Sequence, residues 1–138
     1  MKNLSKKLKF VFQLAKTNAV LARRFSSQGL GFGDIAVMFA ISRAPEGKIR
    51  RVDLADQLGL TASGVTRMLL PLEKIGVIKR ELNARDARVS FATLTTAGKR
   101  LLGESLESAE LLCDDLIPED KVKNLDELSA ILVNIADA

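Results

Sequence analysis

Histidine, tryptophan and tyrosine are absent from the 138 residues, and there is a single cysteine. With no histidine, no side chain has an ordinary pKa near neutrality, which excludes a Cys/His nucleophile and any histidine-based zinc site. The lone Cys113 rules out an intrachain disulfide. Set beside Leu111 and Leu112 at the end of an apolar stripe, it reads as a buried structural thiol and gives no support to oxidant sensing. Long apolar runs are missing too: nothing approaches the roughly 20 residues that a membrane-spanning helix needs. The acids Asp114, Asp115, Glu119 and Asp120 fit the spacing of no defined metal-binding loop and read as a solvated helix end. Gly29-Leu-Gly-Phe-Gly33 lacks the six-residue dinucleotide fingerprint and follows a helical stripe where a strand is required, so it reads as a loop. No enzyme activity, cofactor or metal site is therefore expected.

Charge is present, and it is segregated. Residues 1–42 carry seven Lys/Arg against one acid, residues 43–100 twelve against six, and residues 101–138 two against ten, which leaves a net charge of only +4. Two basic segments and an acidic tail are the asymmetry expected of a chain that presents one face to a polyanion. The length suits one structural domain with its own core.

The densest pattern lies between residues 50 and 100. Val52, Leu54, Ala55 and Leu58 mark the apolar face of a short helix, Gly59 permits a left-handed turn, Leu60 is expected to plug back into the core, and Thr61 is a good N-cap. In the helix that follows, Val65, Met68, Leu69, Leu72 and Ile75 recur at three- and four-residue steps and are expected to face inward. Ala62, Ser63, Thr66 and Arg67 then point outward. Small residues let a helix enter a groove deeply, hydroxyls reach base edges or phosphates, and an arginine takes guanine bidentately, so this helix has the chemistry of a DNA recognition helix. Pro71 removes a backbone donor from it and predicts a kink.

Beyond Gly76, Val77 to Glu81 is a β-prone run, Leu82 to Arg88 a polar turn, and Val89, Phe91 and Leu94 a returning strand, with Thr95 capping a further helix. The hairpin tip carries Arg85, Asp86 and Arg88, two cations suited to phosphates or a minor groove with a carboxylate able to orient one of them. Arg50 and Arg51 precede the helix-turn-helix, where side chains reach backbone phosphates. The candidate DNA-binding set is Arg50, Arg51, Thr61, Ser63, Thr66, Arg67, Arg85, Asp86 and Arg88.

Both ends of the chain carry apolar stripes. Leu4, Leu8, Val11, Ala15, Ala19, Ala22 and Phe25 line a long N-terminal helix; Val122, Leu125, Leu128, Leu132 and Ile135 line a C-terminal one. Between them Leu101, Leu102, Leu106, Ala109, Leu112 and Leu116 line a helix that Pro118 closes. The first helix is also basic, with Lys2, Lys6, Lys7, Lys9, Lys16, Arg23 and Arg24, but Lys9 and Lys16 interrupt its apolar positions, which weighs against a membrane-surface or targeting segment.

Leu54-Ala-Asp-Gln-Leu-Gly-Leu-Thr-Ala-Ser-Gly-Val-Thr-Arg67, Leu72-Glu-Lys-Ile-Gly76, Arg85-Asp-Ala-Arg88 and Leu94-Thr-Thr-Ala-Gly98 together resemble the MarR family of winged-helix transcription regulators. The resemblance spans about Gly29 to Leu102, and its most specific part is the Asp-x-Arg of the wing followed by Leu-Thr-x-x-Gly. It implies a mainly α fold with a small β-hairpin wing: a winged helix-turn-helix (29–100) between an N-terminal dimerisation helix (1–28) and C-terminal dimerisation helices (101–138). It also implies that Arg88 reaches a minor groove while Asp86 braces the wing. Asn83 stands where the family often has an acid. The terminal helices would interlock two subunits through Leu4, Leu8, Val11, Leu128, Leu132 and Ile135. The two-fold homodimer would read an inverted repeat in double-stranded DNA and act as a cytoplasmic repressor. A small-molecule effector would sit between the dimerisation helices and the winged helix, where Phe10, Phe12, Phe32, Phe39 and Leu106 could form the lining and Arg23 or Arg43 meet an anion. The alternative is a winged-helix interaction module that has lost DNA binding; retention of Arg67, Arg85 and Arg88 favours the regulator.

Overall fold

The computed structural model describes residues 3–138; of the N-terminal cations, Lys2 lies outside them. Helix α1 (Lys6–Arg24) starts at Ser5, whose hydroxyl accepts the Leu8 amide at 3.1 Å, the capping role serine favours. A short antiparallel hairpin, β1 (Ser26–Ser27) with β2 (Leu30–Gly31), turns through Gln28 and Gly29, both at positive φ. It delivers the chain into α2 (Phe32–Arg43), where the Asp34 carboxylate accepts the Gly31 amide at 2.9 Å. The glycine-rich stretch, expected as a loop, is instead the hairpin turn at Gly29, strand β2 and the first residues of α2. Helix α2 is the centre of the core, contributing Ile35, Val37, Met38 and Ile41.

After a 3-10 turn (Pro45–Gly47) comes β3 (Lys48–Arg50), a strand the sequence reading did not anticipate because three residues are too few to show a period. Helix α3 (Arg51–Leu58) ends on Gly59 at φ 67°, and the Leu60 amide closes the turn onto the Ala55 carbonyl at 2.9 Å. Helix α4 (Ala62–Lys74) follows, with Val65, Leu69 and Leu72 buried against Leu54 and Ala55 of α3. Three positions expected in the core are not there: Val52 is 52% exposed, Leu60 41% and Ile75 63%. Val52 occupies the first turn of α3, outside its Leu54–Ala55–Leu58 face. Leu60 sits on the outer corner of the two-residue turn. Ile75 caps α4, where the backbone leaves the helical row (ψ 1°), and Val77 fills the core place instead.

Strands β4 (Ile78–Leu82) and β5 (Ser90–Leu94) form the wing, and β5 is central in the antiparallel order β3-β5-β4. Ala92 and Leu94 are the buried pair of β5; Val89 and Phe91, expected on the same face as Leu94, are an odd number of residues away and cannot share it in a strand of period two.

Helix α5 (Thr96–Leu116) keeps its entire expected stripe, Leu101 through Leu116, buried or half-buried. A 3-10 turn (Glu119–Asn124) then leads to α6 (Leu125–Ala136). The terminal helices differ from the rest: neither α1 nor α6 has a buried residue. Phe10, Leu14, Val20 and Leu21 are the half-buried residues of α1, whereas Leu4, Leu8 and Val11 lie exposed on another face. On α6, Leu128, Leu132 and Ile135 are exposed as well. Among the described residues no helix is long and apolar enough to cross a membrane.

Candidate nucleic-acid interface

The outward face of α4 is built from its cap. The Thr61 hydroxyl accepts the Gly64 amide at 3.0 Å and lies 3.3 Å from the Ser63 hydroxyl, so both oxygens sit together at the helix start. Thr61, Ala62, Ser63 and Arg67 are exposed. Gly33, at the start of α2, lies against the Met68 methyl group of α4, where an added Cβ would come within 2.9 Å and the flexible methionine end would have to shift.

Two candidates occupy different places from those expected. Thr66 is half-buried, and its hydroxyl accepts Nη1 of Arg51 at 3.1 Å. The other end of the same guanidinium, Nη2, bonds Glu73 Oε1 at 2.9 Å, with both side chains largely shielded. Arg51 therefore joins the first turn of α3 to the second turn and the C-terminal end of α4 and does not point outward. Charge-assisted bonds at a partly buried site are among the stronger ones, so this bridge fixes the angle between the two helices. Arg50 stays at the surface and pairs with Asp53 at 3.1 Å.

The wing tip is a small framework of local bonds. Asp86 accepts from the Arg88 amide at 3.0 Å and from Nε and Nη2 of the same residue at 3.1 and 3.3 Å. These side-chain and backbone bonds to Arg88 hold the Asp86 carboxyl below the usual carboxylate range. The Arg88 side chain nonetheless remains 91% exposed. Asn83 accepts the Arg85 amide at 2.8 Å and donates its own amide to the Val89 carbonyl, so an amide side chain shapes the loop at this position.

The base of the wing explains the Leu94-Thr-Thr-Ala-Gly98 motif. The Thr95 hydroxyl donates to the Gly76 carbonyl at 2.6 Å and accepts the Gly98 amide at 3.0 Å, while the Thr95 amide bonds the Val77 carbonyl. A Cβ on Gly98 would collide with that same Val77 carbonyl. One threonine and one glycine thus lock α5 to the junction between α4 and the wing.

Strand β4 adds two exposed cations, Lys79 and Arg80, that the sequence reading assigned only to the strand. Among the described residues, Arg67, Lys79, Arg80 and Arg85 enter no ion pair. They leave unneutralised positive charge on α4 and the wing, the electrostatic footprint of a nucleic-acid site.

A second feature is a largely apolar cavity of about 730 Å³ between α1, α2 and α5. Phe32, Phe39 and Leu106 line it as expected, with Phe25, Lys16 and Cys113 in addition. Phe10 and Phe12 do not: Phe10 shares the face of the lining residues but precedes them along α1, and Phe12 projects from another face; neither Arg23 nor Arg43 belongs to the wall. Cys113 is half-buried, not fully so.

Residues 33–90 match the model of the MarR family. The HTH-type transcriptional regulator FarR of Neisseria gonorrhoeae is 30% identical over 98 residues, covering 69% of this chain and 67% of its own. Among solved structures, the transcriptional regulator BldR of Sulfolobus solfataricus superimposes with a TM-score of 0.81 at 24% identity, over 97% of this chain and 99% of that one. Sco3205 of Streptomyces coelicolor, a MarR family transcriptional regulator solved in complex with DNA, does so with a TM-score of 0.72 at 22% identity, over 96% and 89%. With the helix-turn-helix, the braced wing and the Thr95–Gly98 lock all in place, the chain belongs to the MarR family of winged helix-turn-helix transcription regulators.

Proposed function

We propose that this regulator binds double-stranded DNA as a two-fold homodimer, with α4 in the major groove and the wing beside it, and represses transcription by occupying an inverted-repeat operator. The observation that carries the reading is the joint surface of α4 and the wing, where Thr61, Ser63, Arg67, Arg85 and Arg88 are all exposed. In this reading Arg67 takes a base edge, Thr61 and Ser63 reach bases or phosphates, and Arg50, Lys79, Arg80 and Arg85 contact the backbone. Arg88, held by Asp86, enters the minor groove or its phosphate rim. Arg51 and Thr66 act from inside, by holding α3 against α4.

The exposed apolar residues at both ends support the dimer. Leu4, Leu8 and Val11 near one end of the sequence and Leu128, Leu132 and Ile135 near the other are 37–48% exposed, and exposed apolar patches mark interfaces. A two-fold interface places two α4 helices about one turn of B-DNA apart, or a multiple of it. An effector that occupies the apolar cavity would lower operator affinity by its preference for the less competent spacing, and by no more than that. In this reading the regulator works in the cytoplasm.

Selection of random duplexes by the purified protein at near-physiological salt, followed by sequencing, tests this directly. A two-fold symmetric motif is the expected result. Recovery of no motif, with no retained DNA, would shift the reading to an interaction module.

A further inference from the structure

Helix α4 carries an aliphatic side chain on its outermost line. Val65, Leu69 and Leu72 are its buried residues, and at about 100° per residue they mark one side of the helix. On the opposite side Ser63, Arg67, Leu70 and Lys74 recur at steps of four, three and four residues. They fall within an arc of about 60° and all four are exposed. Leu70 is 46% exposed in the middle of this stripe, and the next residue, Pro71, is exposed too.

The other members of the stripe are polar and free to act. Among the described residues neither Arg67 nor Lys74 enters an ion pair. Thr66, by contrast, is turned inward to Arg51, so its hydroxyl is committed inside the chain and the next outward side chain beyond Arg67 is Leu70. Water hydrates an aliphatic group at a cost that contact with another apolar group recovers. The apolar feature that a major groove offers is the C5-methyl group of thymine. A rise of about 1.5 Å per residue sets Leu70 about 4.5 Å beyond Arg67 along α4, close to the roughly 3.4 Å between base steps. The two side chains are thus spaced to meet neighbouring base pairs.

We propose that Leu70 is a specificity-determining residue that reads a thymine methyl group at the base pair next to the one taken by Arg67, with Lys74 on the flanking phosphate. The proposal rests on the placement of α4 in the major groove and adds a base preference that uses no hydrogen bond. Because the Leu70 contact is apolar it releases no counterions, so it adds affinity without steepening the salt dependence, whereas Lys74 does the reverse.

The test replaces each thymine of the selected operator in turn by deoxyuridine, which keeps the hydrogen-bonding groups and removes only the methyl group. Binding is measured for the parent chain, Leu70→Ala and Leu70→Gln. At one thymine per half-site, beside the base pair that Arg67→Ala ceases to discriminate, the parent should lose about fourfold per half-site. Leu70→Ala, an exposed change to a good helix former, should keep the helical circular dichroism. It should bind the thymine operator more weakly by the same factor, no longer distinguish thymine from deoxyuridine at that position, and keep the parent's salt slope. Leu70→Gln, which retains length and loses the apolar tip, should behave likewise. A deoxyuridine penalty that persists undiminished in both variants, or no position with a penalty in the parent, would overturn the proposal and leave the regulator reading intact. A chain that retains no DNA in the selection would overturn both.

Discussion

The winged-helix centre and the terminal helices make opposite use of their apolar residues. In the centre, α2 to β5, the large side chains close on one another and the backbone is fixed by named bonds: Thr61 to Gly64, Arg51 to Thr66 and Glu73, Thr95 to Gly76 and Gly98. In α1 and α6, by contrast, not one residue is buried, although both helices are rich in leucine, valine and alanine. A surface that reads DNA must be rigid within one chain, whereas the spacing between two such surfaces must be set by another chain. The contrast between a satisfied centre and unsatisfied ends is what that division of labour requires.

The contrast breaks most severely at Gly98. Gly98→Ala forces a methyl group onto the Val77 carbonyl, and a loss of about 3 kcal/mol or more is expected in urea unfolding, at the upper end of overpacking costs. Almost as large, but confined to the ends, is the effect of Leu128→Asp with Leu132→Asp: sedimentation should show a monomer whose centre keeps its helical circular dichroism, with operator affinity down at least a hundredfold, about 2.7 kcal/mol. Arg67→Ala should leave folding unchanged and cost about 1–3 kcal/mol of discrimination at one base pair, read by competition among single-base operator variants. Smaller again, Arg88→Ala should weaken binding to all sequences alike and reduce the slope of log affinity against log salt by about 1.

The mildest perturbation is acid. Bonds from Arg88 hold the folded pKa of Asp86 below its unfolded value, so the brace is intact above the ordinary carboxylate range and lost only as pH falls through the folded value. The Arg88 Nε–H resonance should therefore stay unchanged from pH 7 down to about 4, below which the wing tip loosens. Loosening already near neutrality would show that the Asp86–Arg88 contact does not hold the tip.

Much of the centre was legible because its signals are local. Gly59 at positive φ, Thr61 and Thr95 as caps, the wing tip at Asp86-Ala-Arg88 and the α5 stripe each rest on a few consecutive residues with a strong conformational preference. What escaped depends on contacts between distant residues. The pairing of Arg51 with Glu73, 22 positions away, turns an apparent phosphate contact into an internal strut, and no spacing rule reveals it. Strand β3 exists because β5 offers it an edge, not because Lys48-Ile-Arg50 prefers to be extended. The inward assignments of Leu60 and Ile75 failed at element ends, where helical periodicity stops applying. Lys79 and Arg80 were visible as residues, but their exposed, unpaired state became apparent only with the wing built around them.

The central claim is that each chain holds a complete reading surface and that two chains are needed to use it. Fluorescence titration of the protein against a duplex carrying the selected inverted repeat, and against one with a single half-site, tests it most directly. Two protomers per inverted repeat, bound far more tightly than the half-site, is the predicted result; one protomer per duplex with equal affinity for both would contradict it.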